Sequence, residues 1–77
     1  MITGMQVRAA KALLNWSGND LANKANIGIS TIRRIEACDG LLQSASIKTL
    51  EAIKEALEKG GVQFIGTPDS QPGVRLR

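Results

Sequence analysis

The sequence predicts an all-α fold: a compact unit of four short helices over residues 1–61, with a short β-hairpin or strand extension over residues 62–77. Three observations predict it. Apolar residues recur every three or four positions in four separate segments, the period of a helix with one buried face. Good helix caps, Thr3, Ser17 and Ser46, stand ahead of three of those segments. After Gly60-Gly61 the period changes to short apolar runs around a glycine- and proline-containing segment, which reads as strands and a turn.

Each element follows from its residues. Thr3 and Gln6 have capping-box spacing, and Val7, Ala10, Leu13 and Leu14 follow at helical intervals, so the first helix is expected over residues 4–14. Asn15 ends it, because asparagine tolerates the left-handed backbone that stops a helix. Ser17 and Asp20 repeat the box, with Trp16 and Leu21 in hydrophobic-staple positions, and open a second helix that runs from Gly18 to Ala25. Asn26-Ile27-Gly28 makes a turn, and residues 29–37 resume the helical period through Ile32 and Ile35. Asp39-Gly40 breaks the pattern, and Ser46 then caps a fourth helix carrying Ile47, Leu50, Ile53 and Leu57 on one face, closed by Gly60-Gly61. Strands are expected at 62–65 and 74–77 with a long turn at 66–73; Phe64 and Leu76 either build a contact with a second copy or fold back over helices one and four.

Composition narrows the function classes. The chain of 77 residues is 43% hydrophobic and 22% charged, the balance of a globular domain. It has no histidine and one cysteine, Cys38, so no internal disulfide can form and no cluster of metal ligands is expected. Nucleophile and base pairings are equally absent from the pattern, and neither an enzyme nor a cofactor is expected. Glu51, Glu55 and Glu58 alternate with Lys48, Lys54 and Lys59 at helical spacing, which reads as a solvated helix face. The opening segment lacks the apolar run of a signal sequence and no stretch reaches membrane-spanning length, so a reducing cytoplasm and no membrane contact are expected.

Charge divides the chain. Residues 1–34 hold Arg8, Lys11, Lys24, Arg33 and Arg34 against Asp20 alone, whereas residues 35–59 hold three basic side chains against five acidic ones. The basic excess therefore lies in the first half, which is the half that would face a polyanion.

Within that half, Leu21-Ala22, Asn26-Ile27, Ile32 and Ile35 make the pattern of a helix-turn-helix. Ala22 is small where the next helix crosses closely, Asn26 accepts the unusual backbone of the turn, and the three isoleucines lock the helices together. Over residues 3–59 the sequence resembles the phage-repressor and Cro-like helix-turn-helix family of transcriptional regulators, of the xenobiotic-response-element type. The likeness is carried by Arg8, Trp16-Ser17, Leu21-Ala22-Asn23-Lys24-Ala25 and Ser30-Thr31-Ile32-Arg33-Arg34-Ile35-Glu36-Ala37. It implies a lambda-repressor-like domain whose third helix enters the major groove of double-stranded DNA, as a homodimer on two related half-sites.

Carried over residue by residue, the resemblance implies that Ile29, Ser30, Thr31 and Arg34 face bases. Arg34 would donate twice to guanine, Ser30 would bond several bases, and Ile29 would pack on a thymine methyl. Phosphate contacts are implied for Ser17, Gly18 and Asn19 at the start of the second helix, for Arg33, and for Gln43 in the loop that follows the third. Lys11 and Glu36 are implied to form a structural ion pair between helices one and three. The sequence departs from the family pattern at Gly18, where glutamine is common, at Gly28, where serine or threonine caps the helix, and at Ile29, where a polar residue is usual; the fifth helix is missing. These departures keep a second reading open, a protein-interaction module of antitoxin or anti-activator type that grips a protein partner through the Ile29 face.

Overall fold

In a computed structural model, residues 2–39 and 45–77 are described. Among them α1 (Gly4–Leu13), α2 (Gly18–Ala25), α3 (Ile29–Glu36) and α4 (Ile47–Gly60) precede β1 (Val62–Thr67) and β2 (Ser70–Leu76). Local chemistry sets the helix ends. Thr3 and Gln6 close a capping box at α1, and Ser17 and Asp20 close a second at α2. Asn15 and Asn26 both take the left-handed conformation, at φ 58°, and stop the helices before them. Ser46 accepts a hydrogen bond from the Thr49 N–H to start α4, and Gly61, also left-handed, ends it.

The all-α expectation fails. Of the described residues, 56% are helical and 20% lie in strand, so the fold is mixed α/β: four helices with a two-stranded antiparallel sheet. The cause lies in the segment expected to be a long turn. The ladder pairs Val62 with Leu76, Phe64 with Val74 and Ile65 with Gly73, then continues to Thr67 and Ser70 around the short Pro68-Asp69 turn. Between the last two pairs, Gly66 alone on β1 faces Gln71 and Pro72 on β2, which is a bulge. Pro72 lacks an N–H and is tolerated there because no ladder bond is required of it. Gly66 sits at φ 74°, and a Cβ on it would collide with the Gln71 carbonyl. Turn-forming residues here extend the hairpin by accommodating an extra residue.

The core collects the inward face of every helix and the start of the hairpin. Ile2, Val7, Leu21, Ile32, Ile35, Ile53, Leu57 and Val62 are fully buried. Phe64 and Val74 pack against this cluster half-buried, so the hairpin covers the helices, in contact with both α1 and α4. Gln6 fastens it by donating its side-chain amide to the Gly73 carbonyl at 3.0 Å. Leu76 stays 55% exposed.

One close approach fixes α1 against α3. The Cα of Gly4 lies so near the carbonyl oxygens of Ile35 and Cys38 that a methyl group on it would overlap both. Both obstacles are backbone and cannot rotate away. Gly4→Ala is therefore expected to destabilise by about 1–3 kcal/mol through overpacking, lowering the melting temperature by roughly 5–20 °C. Thermal unfolding followed by circular dichroism checks this; an unchanged midpoint would contradict the close approach.

Candidate functional site

The turn between α2 and α3 is tightly specified. Ile27 donates its N–H to the Ala22 carbonyl at 2.9 Å across the left-handed Asn26, and Ala22 and Leu21 are buried beneath it. Gly28 caps α3 with backbone alone, its carbonyl accepting from the Thr31 and Ile32 N–H groups. The inner face of α3 is Ile32 and Ile35, both buried. That leaves Ser30, Arg33 and Arg34 exposed, at the i, i+3, i+4 spacing of one helix face. A helix of 8 residues is about 12 Å long, the scale of the major groove of B-form DNA.

The residues expected to face bases do not share one environment. Ser30 and Arg34 are on the outward face, whereas Thr31 and Ile29 are half-buried. Ile29 packs toward the core, and its Cδ1 lies beside Gly18, where a Cβ would stand 3.4 Å away. Two of the departures from the family pattern thus meet, the tip of Ile29 standing at van der Waals distance from where a side chain at position 18 would begin. Arg33, implied as a phosphate contact, lies on the same face as Arg34.

At the start of α2, Ser17 and Asn19 are exposed and Gly18 is half-buried against α3. The anion seat of this helix end is shared, because Asp20 Oδ2 accepts from the Ser17 N–H at 2.9 Å while Ser17 Oγ accepts from the Asp20 N–H at 3.0 Å. The backbone hydrogen bond from Ser17, then its side chain, hold the Asp20 carboxyl below its ordinary range. A depressed value means that the capping interaction is present at neutral pH and is lost only as pH falls through the lowered folded value. Gln43 lies outside the described residues.

The charges of α1 are used inside the molecule. Lys11 Nζ stands 2.7 Å from Glu36 Oε1, with the two side chains 21% and 16% exposed. That oxygen is buried and takes no hydrogen bond of regular geometry, so the ion pair is what compensates its burial. Arg8 adds a second tie, pairing with Asp39 Oδ1 at 2.6 Å and donating to the Glu36 carbonyl. Sequence reasoning missed the role of Arg8. The signal was its position one turn before Lys11, with an acidic residue at each end of the 36–39 segment. Of the five basic residues in the first half, Lys24, Arg33 and Arg34 have no carboxylate partner among the described residues.

Among the described residues no three histidine, cysteine, aspartate or glutamate side chains gather where a metal ion could bind, and no helix is long and apolar enough to cross a membrane. No family model matches the chain, and no curated protein matches it either.

Proposed function

We propose that the protein is a sequence-specific, double-stranded DNA-binding transcriptional regulator that seats α3 in the major groove. The observation that supports this reading best is the outward face of α3, where Ser30, Arg33 and Arg34 are exposed together. Neither arginine is paired with a carboxylate among the described residues, so both guanidinium groups are available to guanine edges or phosphates. In this reading Arg34 and Ser30 read bases, Arg33 works beside them on the backbone, and the amides of Gly18 and Asn19 with the Ser17 hydroxyl hold a phosphate. Ile29 and Thr31 support the helix from its half-buried side. The chain acts as a homodimer in this proposal, with the exposed Leu76 and the open hairpin edges as the surface available for a second copy. Fluorescence anisotropy with a labelled duplex tests DNA binding: the affinity is expected to fall steeply and log-linearly with salt. Indifference to duplex at low salt would overturn the reading.

Asp20 supplies a second test of the same surface. Its ionised carboxylate accepts from the Ser17 N–H, beside the Gly18 and Asn19 amides proposed to hold a phosphate, and a phosphate bound there would be repelled by it. Asp20→Asn keeps an oxygen to accept from Ser17 but removes the charge. Its affinity for duplex is expected to rise at low salt, with the gain shrinking as salt screens the repulsion. A loss of affinity would mean that no phosphate approaches α2.

Gly18, Gly28 and Ile29 together motivate the protein-interaction reading; of these, Ile29 is half-buried with its tip beside Gly18, so it offers a partner less apolar surface than an exposed side chain would.

A further inference from the structure

The residues of α1 exposed to solvent are Met5, Ala9, Ala12 and Leu13, and none of them is polar. The other three helices expose charged side chains, among them Lys24, Arg34 and Glu51. The two charges of α1 are turned away, Arg8 pairing with Asp39 and Lys11 with Glu36. A helix that is apolar on its open side as well as on its buried side is ordinarily covered. Beside this face lies β2, which runs in the same direction as α1. At one end the Gly73 carbonyl accepts from the Gln6 amide; at the other the Arg77 N–H donates to the Gly61 carbonyl, next to Gly60, which lies close to Leu14. Leu76, 55% exposed, therefore stands toward the Leu13 end. At the Met5 end a cavity of about 290 Å³ is lined by Met5, Ala9, Pro72 and Val74 together with their neighbours.

Shape and charge fit this face to a second copy of itself. Met5, Ala9 and Leu13 form one i, i+4 ridge in the order large, small, large, which reads the same in both directions. A two-fold axis at Ala9 lays α1 across the α1 of another copy, each Met5 on the Leu13 of the other and Ala9 on Ala9, an isologous contact in which the small residue lets the backbones approach. The exposed residues of α1 and the Pro72-Gly73-Val74 stretch beside them carry no charge. Two chains of net charge +3 can therefore meet there with no like charges opposed, whereas a nucleic acid or a charged peptide finds no counterpart. We propose that the homodimer put forward above, on which this inference rests, is built by α1 packing on α1 of the second copy about this axis, with Leu13 of that copy filling the cavity beside Met5 and Leu76 at the rim. The contact spans about 13 Å of helix some 10 Å wide, with a strand beside it. That is short of the roughly 800 Å² per partner of a standard interface, so the dimer is weak in free solution and two half-sites on DNA hold the copies together.

Sedimentation equilibrium of the full chain, without DNA and over a range of concentrations, reads the association. The mass is expected to rise from monomer to dimer with a dissociation constant of about 10–100 µM. Ala9→Glu lies at an exposed helical position, so the circular dichroism and melting temperature should stay those of the unaltered chain. Its association is expected to weaken about tenfold or more, because two carboxylates are set against each other at the axis. Asn23→Glu adds the same charge at an exposed position of α2 and is expected to leave association unchanged. A chain that stays monomeric at every concentration, leaving the face to a partner of another kind, would overturn the proposal, as would association unaltered by Ala9→Glu. With no DNA present the result is separable from the DNA reading: duplex binding by a chain that never dimerises sinks the α1 contact alone, and a dimer indifferent to duplex sinks the DNA reading alone.

Discussion

Ile35→Ala is expected to cost about 2–5 kcal/mol, the range for truncating a buried branched side chain to alanine when the cavity cannot collapse. Ile35 is 1% exposed and lies on the buried side of the helix that presents Arg34, and its own carbonyl abuts Gly4 of α1. Collapse is restricted there because α1 and α3 already touch backbone to backbone. For a domain this small the loss corresponds to a melting temperature lower by roughly 10–30 °C, a large share of the total stability. Chemical denaturation should show a lower midpoint with an unchanged slope. A midpoint shifted by less than the equivalent of about 1 kcal/mol would mean that α3 is not anchored through this residue. DNA binding by the variant should fall in parallel with its folded fraction.

Arg34→Ala is expected to behave in the opposite manner. The side chain is exposed and pairs with no carboxylate among the described residues, so the melting temperature should stay within the scatter of a surface substitution. Affinity for a preferred duplex should fall by about 1–3 kcal/mol, roughly ten- to a hundredfold, if the guanidinium donates twice to a guanine. Binding to unrelated duplex should fall much less, since only one charge is lost from the phosphate attraction. Equal losses on both kinds of DNA would move Arg34 from base reading to backbone contact. One residue apart on one helix, Ile35 and Arg34 thus separate the scaffold from the surface it presents.

Much of the helical architecture was legible because its signals are local. Thr3 with Gln6, and Ser17 with Asp20, are capping boxes written within four residues, and Asn15 and Asn26 mark the two left-handed stops. The hairpin was read too short because its ladder depends on a bulge, in which Gly66 faces Gln71 and Pro72; glycine and proline there look the same in sequence as in an open turn. That misreading produced the all-α class, which the strand content overturns. The Lys11–Glu36 pair implied by resemblance is present, whereas the Arg8–Asp39 tie was missed because it links residues 31 positions apart through the packing of α1 on α3. The resemblance places Ile29 among the base-facing residues, and its packing beside Gly18, eleven positions earlier, is a tertiary contact with no local signal in the sequence. Tertiary packing decides such positions, and neither periodicity nor capping reports on it.

The central claim is that α3 carries Ser30, Arg33 and Arg34 outward to read a DNA groove. Selection of bound sequences from a pool of random duplexes, carried out side by side with the unaltered chain and with Arg34→Ala, tests it most directly. The expected result is one short enriched motif for the unaltered chain, repeated at a spacing of about one helical turn, with the preference at one position relaxed in the variant. A bound pool indistinguishable from the starting pool at low salt, or the same motif with the same preference in both proteins, would contradict it.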